Sequence, residues 1–226
     1  MKKFKLASIL IILFTFAFAS IKVLAIEQEK IILIDPGHGG FDGGAKSKSG
    51  VIEKDINFQI SLRLKESLEN KGYKVYLTRE SDEALGNSGS TIKEKKREDL
   101  KKRRDMKKET NCDVFISIHQ NMFPQEKCYG AQVWHASNDI SKKLADKIQE
   151  NVKETVKDNN KRVSKPAGDS YLILRDDYKG ASVIVECGFL SNNEEEKKLQ
   201  TEEHQNILVE GISLGIERYF EEINKN

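Results

Sequence analysis

The stretch IILIDPGHGGFDGGAKSKSGVIEKD, Ile31 to Asp55, decides the fold. Ile31 to Ile34 is a short, fully apolar run, the pattern of a strand covered on both faces. Five of the chain's fifteen glycines follow within Gly37–Gly44. Two phosphate-binding turns fit this outline, and each fails by one residue. A P-loop requires Gly, four residues, then Gly-Lys-Ser/Thr; Gly39 and Gly44 have that separation, but Ala45 stands where the lysine belongs. A dinucleotide turn requires G-x-G-x-x-G; Gly37-His38-Gly39 begins it and Asp42 breaks it. What remains is a tight turn that lets backbone approach another group closely, with His38 inside it and Asp35 and Asp42 beside it.

Outward from this unit, apolar runs alternate with helical stripes. Ile56, Ile60, Leu64 and Leu68 recur at i+4 through a helix over Asp55–Asn70, and Gly72 is placed to end it. YKVYLT is the next strand, residues 80–90 are a polar loop, and the charged segment Lys93–Lys108 is a helix. DVFISIH and AQVWH are strands. Ile140, Leu144, Ile148, Val152 and Val156 line one face of a long helix. YLILR and ASVIVE complete the strands, and helices over Asn193–Leu199 and Glu203–Phe220 close the chain. This alternation predicts an α/β fold with a largely parallel sheet.

The chain starts with Lys2, Lys3 and Lys5, then an apolar run from Leu6 to Ile21, then Val23-Leu24-Ala25, a small-residue cleavage pattern. Residues 1–25 therefore read as a signal peptide or an N-terminal membrane anchor, and 26–226 as the catalytic domain, about 200 residues with room for one sizeable core. Either way the domain is exported across the cytoplasmic membrane. The net charge of +2 includes four lysines in the leader, which leaves the remainder near −2 and argues against a nucleic-acid binder. In KEKKREDLKKRRDMKK, acidic residues interleave with basic ones. Glu98–Lys102 and Asp99–Arg103 are helix-supporting pairs, so the segment reads as a solvated helix face. Cys112, Cys128 and Cys187 fit no zinc knuckle and cannot all pair; they read as mostly buried small apolar residues, with one disulfide as the alternative.

Ligands in open α/β sheets sit beyond the carboxyl ends of the strands. Three polar residues interrupt apolar stretches at that edge: His38 after IILID, His119 at the end of VFISIH, and Glu186 at the end of SVIVE. Glu53, just past the glycine turn, returns to the same edge. Two imidazoles and a carboxylate suit a zinc ion with an open fourth position, where water is acidified to a pKa of about 7. His38, Glu53 and His119 are the expected ligands and Glu186 the expected general base. Singly, each residue has a plainer reading, as a hydrogen-bonded strand-end histidine or a helix-start acid; their joint placement is what favours a site. His135 reads as a structural residue near the cleft and His204 as solvent-facing. Asp35 and Asp42 are both candidates to orient His38.

IDPGHGGFDGGA, EKDINFQISLRLKESLENKGYKVYLTR, FISIHQN, GAQVW and VIVECGFLSNNEE, in this order, resemble the zinc-dependent N-acetylmuramoyl-L-alanine amidases of the Amidase_3 group over about Ile31–Tyr219. The resemblance implies a mixed, mostly parallel six-stranded sheet with helices on both faces. It implies Zn2+ on His38, Glu53 and His119, with Glu186 catalytic. The substrate implied is the peptidoglycan glycan strand with its stem peptide, cut between the lactyl group of N-acetylmuramic acid and L-alanine. The stretch KKREDLKKR, without a wall-binding repeat, resembles the CwlD-type spore-cortex amidases, which act in the wall or between the two spore membranes, ahead of muramic lactam formation and germination. An activating or anchoring protein partner fits this reading. Asn121 and Arg175 are candidate substrate contacts. Two departures stand out: Gln120 replaces a small residue beside His119, and Cys187 follows Glu186. A zinc carboxypeptidase on wall peptides, or a non-catalytic wall-binding module, would present much the same letters.

Overall fold

The computed structural model describes residues 29–225; the leader reading and the boundary at residue 25 lie outside them. Six strands form one sheet: β1 (Ile31–Pro36), β2 (Lys74–Leu77), β3 (Val114–Asn121), β4 (Gln132–His135), β5 (Lys165–Pro166) and β6 (Ala181–Phe189). Their order is β2-β1-β3-β6-β4-β5. All neighbours are parallel except β4 against β6, so the sheet is mixed and mostly parallel.

Helices α1 (Glu53–Asn70), α3 (Asp139–Val156) and α5 (Glu202–Ile223) cover one face. Their Ile60, Leu64, Ile148, Leu208 and Ile212 pack on Ile32, Ile34, Ile116, Val183 and Val185. On the other face, Leu33, Phe115 and Ile184 pack under α2 (Ile92–Thr110) and a 3-10 turn at Leu172–Leu174. The sequence expectation of a short α4 also holds, at Asn193–Leu199. Gly72 ends α1 as expected, with φ of 87°. Its N–H reaches the Glu69 carbonyl and that of Tyr73 reaches Leu68, so two of the last carbonyls of α1 are satisfied.

Three expectations are corrected. YLILR is not a strand. Leu174 and Arg175 donate back to Tyr171 and Leu172, making the 3-10 turn, and the remaining strand is the edge pair Lys165–Pro166. A short apolar run does not discriminate strand from helical turn by pattern alone; here the position of Ile173 and Leu174 over the second core decides. α2 is not simply a solvated face. Asp99, Arg103 and Lys107, at i+4 steps, are buried. Lys107 pairs with Asp176 at 2.7 Å and donates to the Ile173 carbonyl. Arg103 is held by two carboxylates, described below. Only Glu98–Lys102 is the surface pair expected. His204 is half-buried rather than solvent-facing, and burial, then Lys198, lowers its pKa. All three cysteines are free, with Cys112 and Cys187 buried and Cys128 half-buried. Among the described residues no helix is long and apolar enough to cross a membrane.

Candidate metal centre and active site

The site lies at the carboxyl ends of β1, β3 and β6, where register brings chemistry together. His119 of β3 is the direct partner of Glu186 of β6, and neighbouring parallel-strand partners share a face. His38 follows β1 in the left-handed region, with φ of 63°. Gly37 donates to the Ile118 carbonyl at 3.0 Å, tying the turn to β3. The glycines here make room. A Cβ at Gly37 would lie 2.4 Å from the His119 ring. One at Gly44, whose φ is +71°, would lie 2.5 Å from the Glu53 carboxylate and 2.6 Å from the His38 ring.

His38, Glu53 and His119 converge, each offering a ligand atom within 4.8 Å of the others. His38 Nε2 is 3.2 Å from Glu53 Oε2, and His119 Nδ1 is 3.0 Å from Glu53 Oε1. The two rings stand edge to face with centroids 4.9 Å apart. Glu53 is buried and further held by Ala45 N–H, Gln120 N–H and the Asn57 amide. Burial would raise its pKa, but the two histidines outweigh that and keep it far below the ordinary carboxylate range. Burial likewise works against charge on His38, yet Asp42 and Glu53 hold its pKa up, to about 9. Of the two aspartates that were candidates to orient His38, Asp42 does so, with Oδ2 2.9 Å from Nδ1. Asp35 instead accepts from Thr78, Ser117 and Arg103. Arg103 also donates to the Pro36 and His38 carbonyls and to Asp99. It thereby pins the backbone that carries His38.

Glu186 is buried, and burial raises its pKa above the ordinary carboxylate range. The Tyr171 hydroxyl lies 3.3 Å from its Oε1, while Oε2 has no hydrogen-bond partner among the described residues. Gln120, the departure beside His119, is buried and donates to Asn57 Oδ1 at 3.2 Å, so it braces the residue that holds Glu53. Asn121 lies at the end of β3, its Oδ1 accepting from Met122 N–H. Arg175 is not brought to the cluster. It is exposed and lines a separate cavity of about 540 Å³ with Ser137, Asn138 and Tyr178, past the far end of β4. His135 is buried and hydrogen-bonded to the Ala136 carbonyl, a structural role. Sequence reasoning did not single out Arg103 and Tyr171. Arg103 left one trace, since its i±4 neighbours Asp99 and Lys107 mark a single face of α2.

The family model for N-acetylmuramoyl-L-alanine amidases matches residues 32–218. The chain belongs to that family. A germination-specific N-acetylmuramoyl-L-alanine amidase of Bacillus subtilis is 34% identical over 194 residues, covering 85% of this chain and 81% of that one. The CwlD amidase from Clostridioides difficile, solved in complex with the GerS lipoprotein, superposes with a TM-score of 0.82 at 42% identity, over 85% of this chain and 99% of that one. A further N-acetylmuramoyl-L-alanine amidase from Clostridium difficile superposes at 0.75 with 30% identity, over 85% and 97% of the two chains. The amidase described here thus acts on peptidoglycan.

Proposed function

We propose that this amidase is zinc-dependent, with His38, Glu53 and His119 as the ligands and Glu186 as the proton carrier. The observation that carries the reading is the spacing of the donors. Two atoms about 2.0–2.1 Å from one ion at tetrahedral angles lie roughly 3.3 Å apart. Glu53 Oε2 sits 3.2 Å from His38 Nε2 and Oε1 3.0 Å from His119 Nδ1, and the three residues offer ligand atoms within 4.8 Å of one another. The donor set, two nitrogens and one oxygen with no thiolate, is that of catalytic rather than structural zinc. When bound, zinc supplies Lewis acidity, which activates water near neutral pH and polarises the scissile carbonyl.

The protein's own groups do the rest. Asp42 fixes the His38 ring and its tautomer, so Nε2 faces the centre. Glu186 takes the proton of the attacking water as the new C–O bond forms. It then returns that proton to the L-alanine nitrogen as the C–N bond breaks, leaving the glycan strand intact. A carboxyl with a pKa raised by burial is matched to both halves of that exchange.

The similarity to the B. subtilis and C. difficile proteins favours a role in spore-cortex maturation and germination, in an exported enzyme working in the wall or between the spore membranes. That the C. difficile relative is seen with a lipoprotein favours a protein partner here too. Asn121, beside the site, is a candidate substrate contact. Digestion of purified cortex-type peptidoglycan tests the whole reading by mass spectrometry of the products. Release of stem peptides with a free alanine amino terminus, abolished by chelator and by Glu186→Gln with zinc content unchanged, is expected. Wild-type turnover by the zinc-loaded Glu186→Gln protein would refute the base assignment. Release of single C-terminal amino acids would point to a carboxypeptidase.

A further inference from the structure

We propose that Tyr171 is a positioning residue for the hydrolytic step, holding one oxygen of Glu186 so that the other is free to exchange protons. The hydroxyl of Tyr171 donates to Glu186 Oε1 at 3.3 Å, and this is the hydrogen bond that the Glu186 carboxylate makes among the described residues. Oε2 is buried and makes none. A buried carboxylate oxygen without a partner is costly, so the asymmetry marks Oε2 as the oxygen turned to the reacting groups.

The position of Tyr171 is itself built. It precedes the 3-10 turn, accepts the Leu174 N–H, and is anchored below by Ile173 and Leu174 in the second core. Its ring packs against Trp134 of β4, with centroids 5.8 Å apart. Trp134 pairs in register with Ile184, two residues before Glu186 on the same face of β6. The aromatic pair therefore sets the hydroxyl over the end of β6 without demanding a flexible side chain. A bond to one carboxylate oxygen removes rotation about the terminal torsion of Glu186, a broad, soft torsion otherwise. Holding a reacting group in its productive geometry is worth rate rather than affinity.

The inference rests on the assignment of Glu186 as proton carrier, and its test separates the two. Tyr171→Phe keeps the ring and removes only the hydroxyl. Trp134 is the chain's single tryptophan, so its emission reports directly on whether the ring packing survives. On soluble muropeptide substrate, Tyr171→Phe is expected to lower kcat about tenfold, the loss for one hydrogen bond to a charged group. KM, zinc content and Trp134 emission are expected to stay unchanged. In a Glu186→Gln background the same substitution is expected to have no further effect on residual turnover. A kcat within twofold of wild type would overturn the proposal, as would a rise in KM alone or a loss of activity accompanied by lost zinc or altered emission. If Glu186→Gln itself turns over normally, the failure belongs to the base assignment, whatever Tyr171→Phe does.

Discussion

Replacing Gly37 by alanine perturbs the proposed metal centre through a single methyl group. The Cβ would stand 2.4 Å from both Cε1 and Nε2 of His119. Ordinary contact begins near 3.4 Å, so the ring must retreat by about 1 Å. Metal–ligand distances tolerate about 0.2 Å. The displacement is therefore several times what a ligand can absorb, and His119 drops out of the chelate or binds in a distorted geometry. Changing a neighbour that merely orients a ligand costs 10–100-fold in metal affinity. Displacing the ligand itself should cost at least about 100-fold, or about 2.7 kcal/mol. Folding should suffer less, because the His119 ring is partly exposed and can swing outward, so the overpacking penalty stays near the low end of about 1–3 kcal/mol. Gly72→Ala is the control. Its φ is +87° with nothing within 4 Å of the added Cβ, so it should lower the thermal midpoint through backbone strain of about 1–2 kcal/mol and leave zinc binding alone. Zinc affinity measured by competition with a chromophoric chelator, beside thermal melts of the metal-free proteins, distinguishes the two. Wild-type zinc affinity in Gly37→Ala would refute the assignment of His119 as a ligand.

Two further outcomes follow from the same geometry. Asp42→Asn keeps the side-chain shape but not the charge on His38 Nδ1; zinc affinity should fall about 10–100-fold with little change in fold, read in the same chelator competition. Arg103→Met leaves Asp35 and Asp99 buried without their guanidinium and should destabilise the protein by about 3–5 kcal/mol at neutral pH. Burial opposes charge on Asp35, but Arg103 and two hydroxyls outweigh it and lower its pKa below 3.8. Its contribution is thus present above about pH 3.8 and lost as pH falls through the folded-state value. Urea unfolding of the two proteins should show the gap between them narrowing on acidification, and a constant gap from pH 7 to pH 3 would refute this account.

Much of the architecture was legible in the letters because burial imposes periodicity. The i+4 stripes of α1 and α3 and the apolar runs of β1, β3 and β6 each report a face that must leave water, and that constraint acts residue by residue. YLILR misled because a run of five apolar-rich residues satisfies a strand and a 3-10 turn equally; what chose between them was the Leu33–Phe115–Ile184 surface beneath, which lies far away in sequence. α2 misled for the opposite reason. Its buried face is charged, and nothing local distinguishes an arginine facing water from one facing Asp35.

The sequence by itself determined the α/β order of elements, the three polar side chains at strand ends and Glu53 at the helix start beside them, because a histidine or glutamate closing an apolar strand is visible without coordinates. Only the tertiary structure decided which aspartate holds His38, that Arg103 secures the backbone behind it, that Arg175 faces a different cavity, and that Tyr171 reaches Glu186. Those choices are matters of distance between side chains, whether four residues apart, as His38 and Asp42, or sixty-five, as His38 and Arg103. A hydrogen bond is settled within a few tenths of an ångström, a precision that pattern and propensity along the chain do not carry.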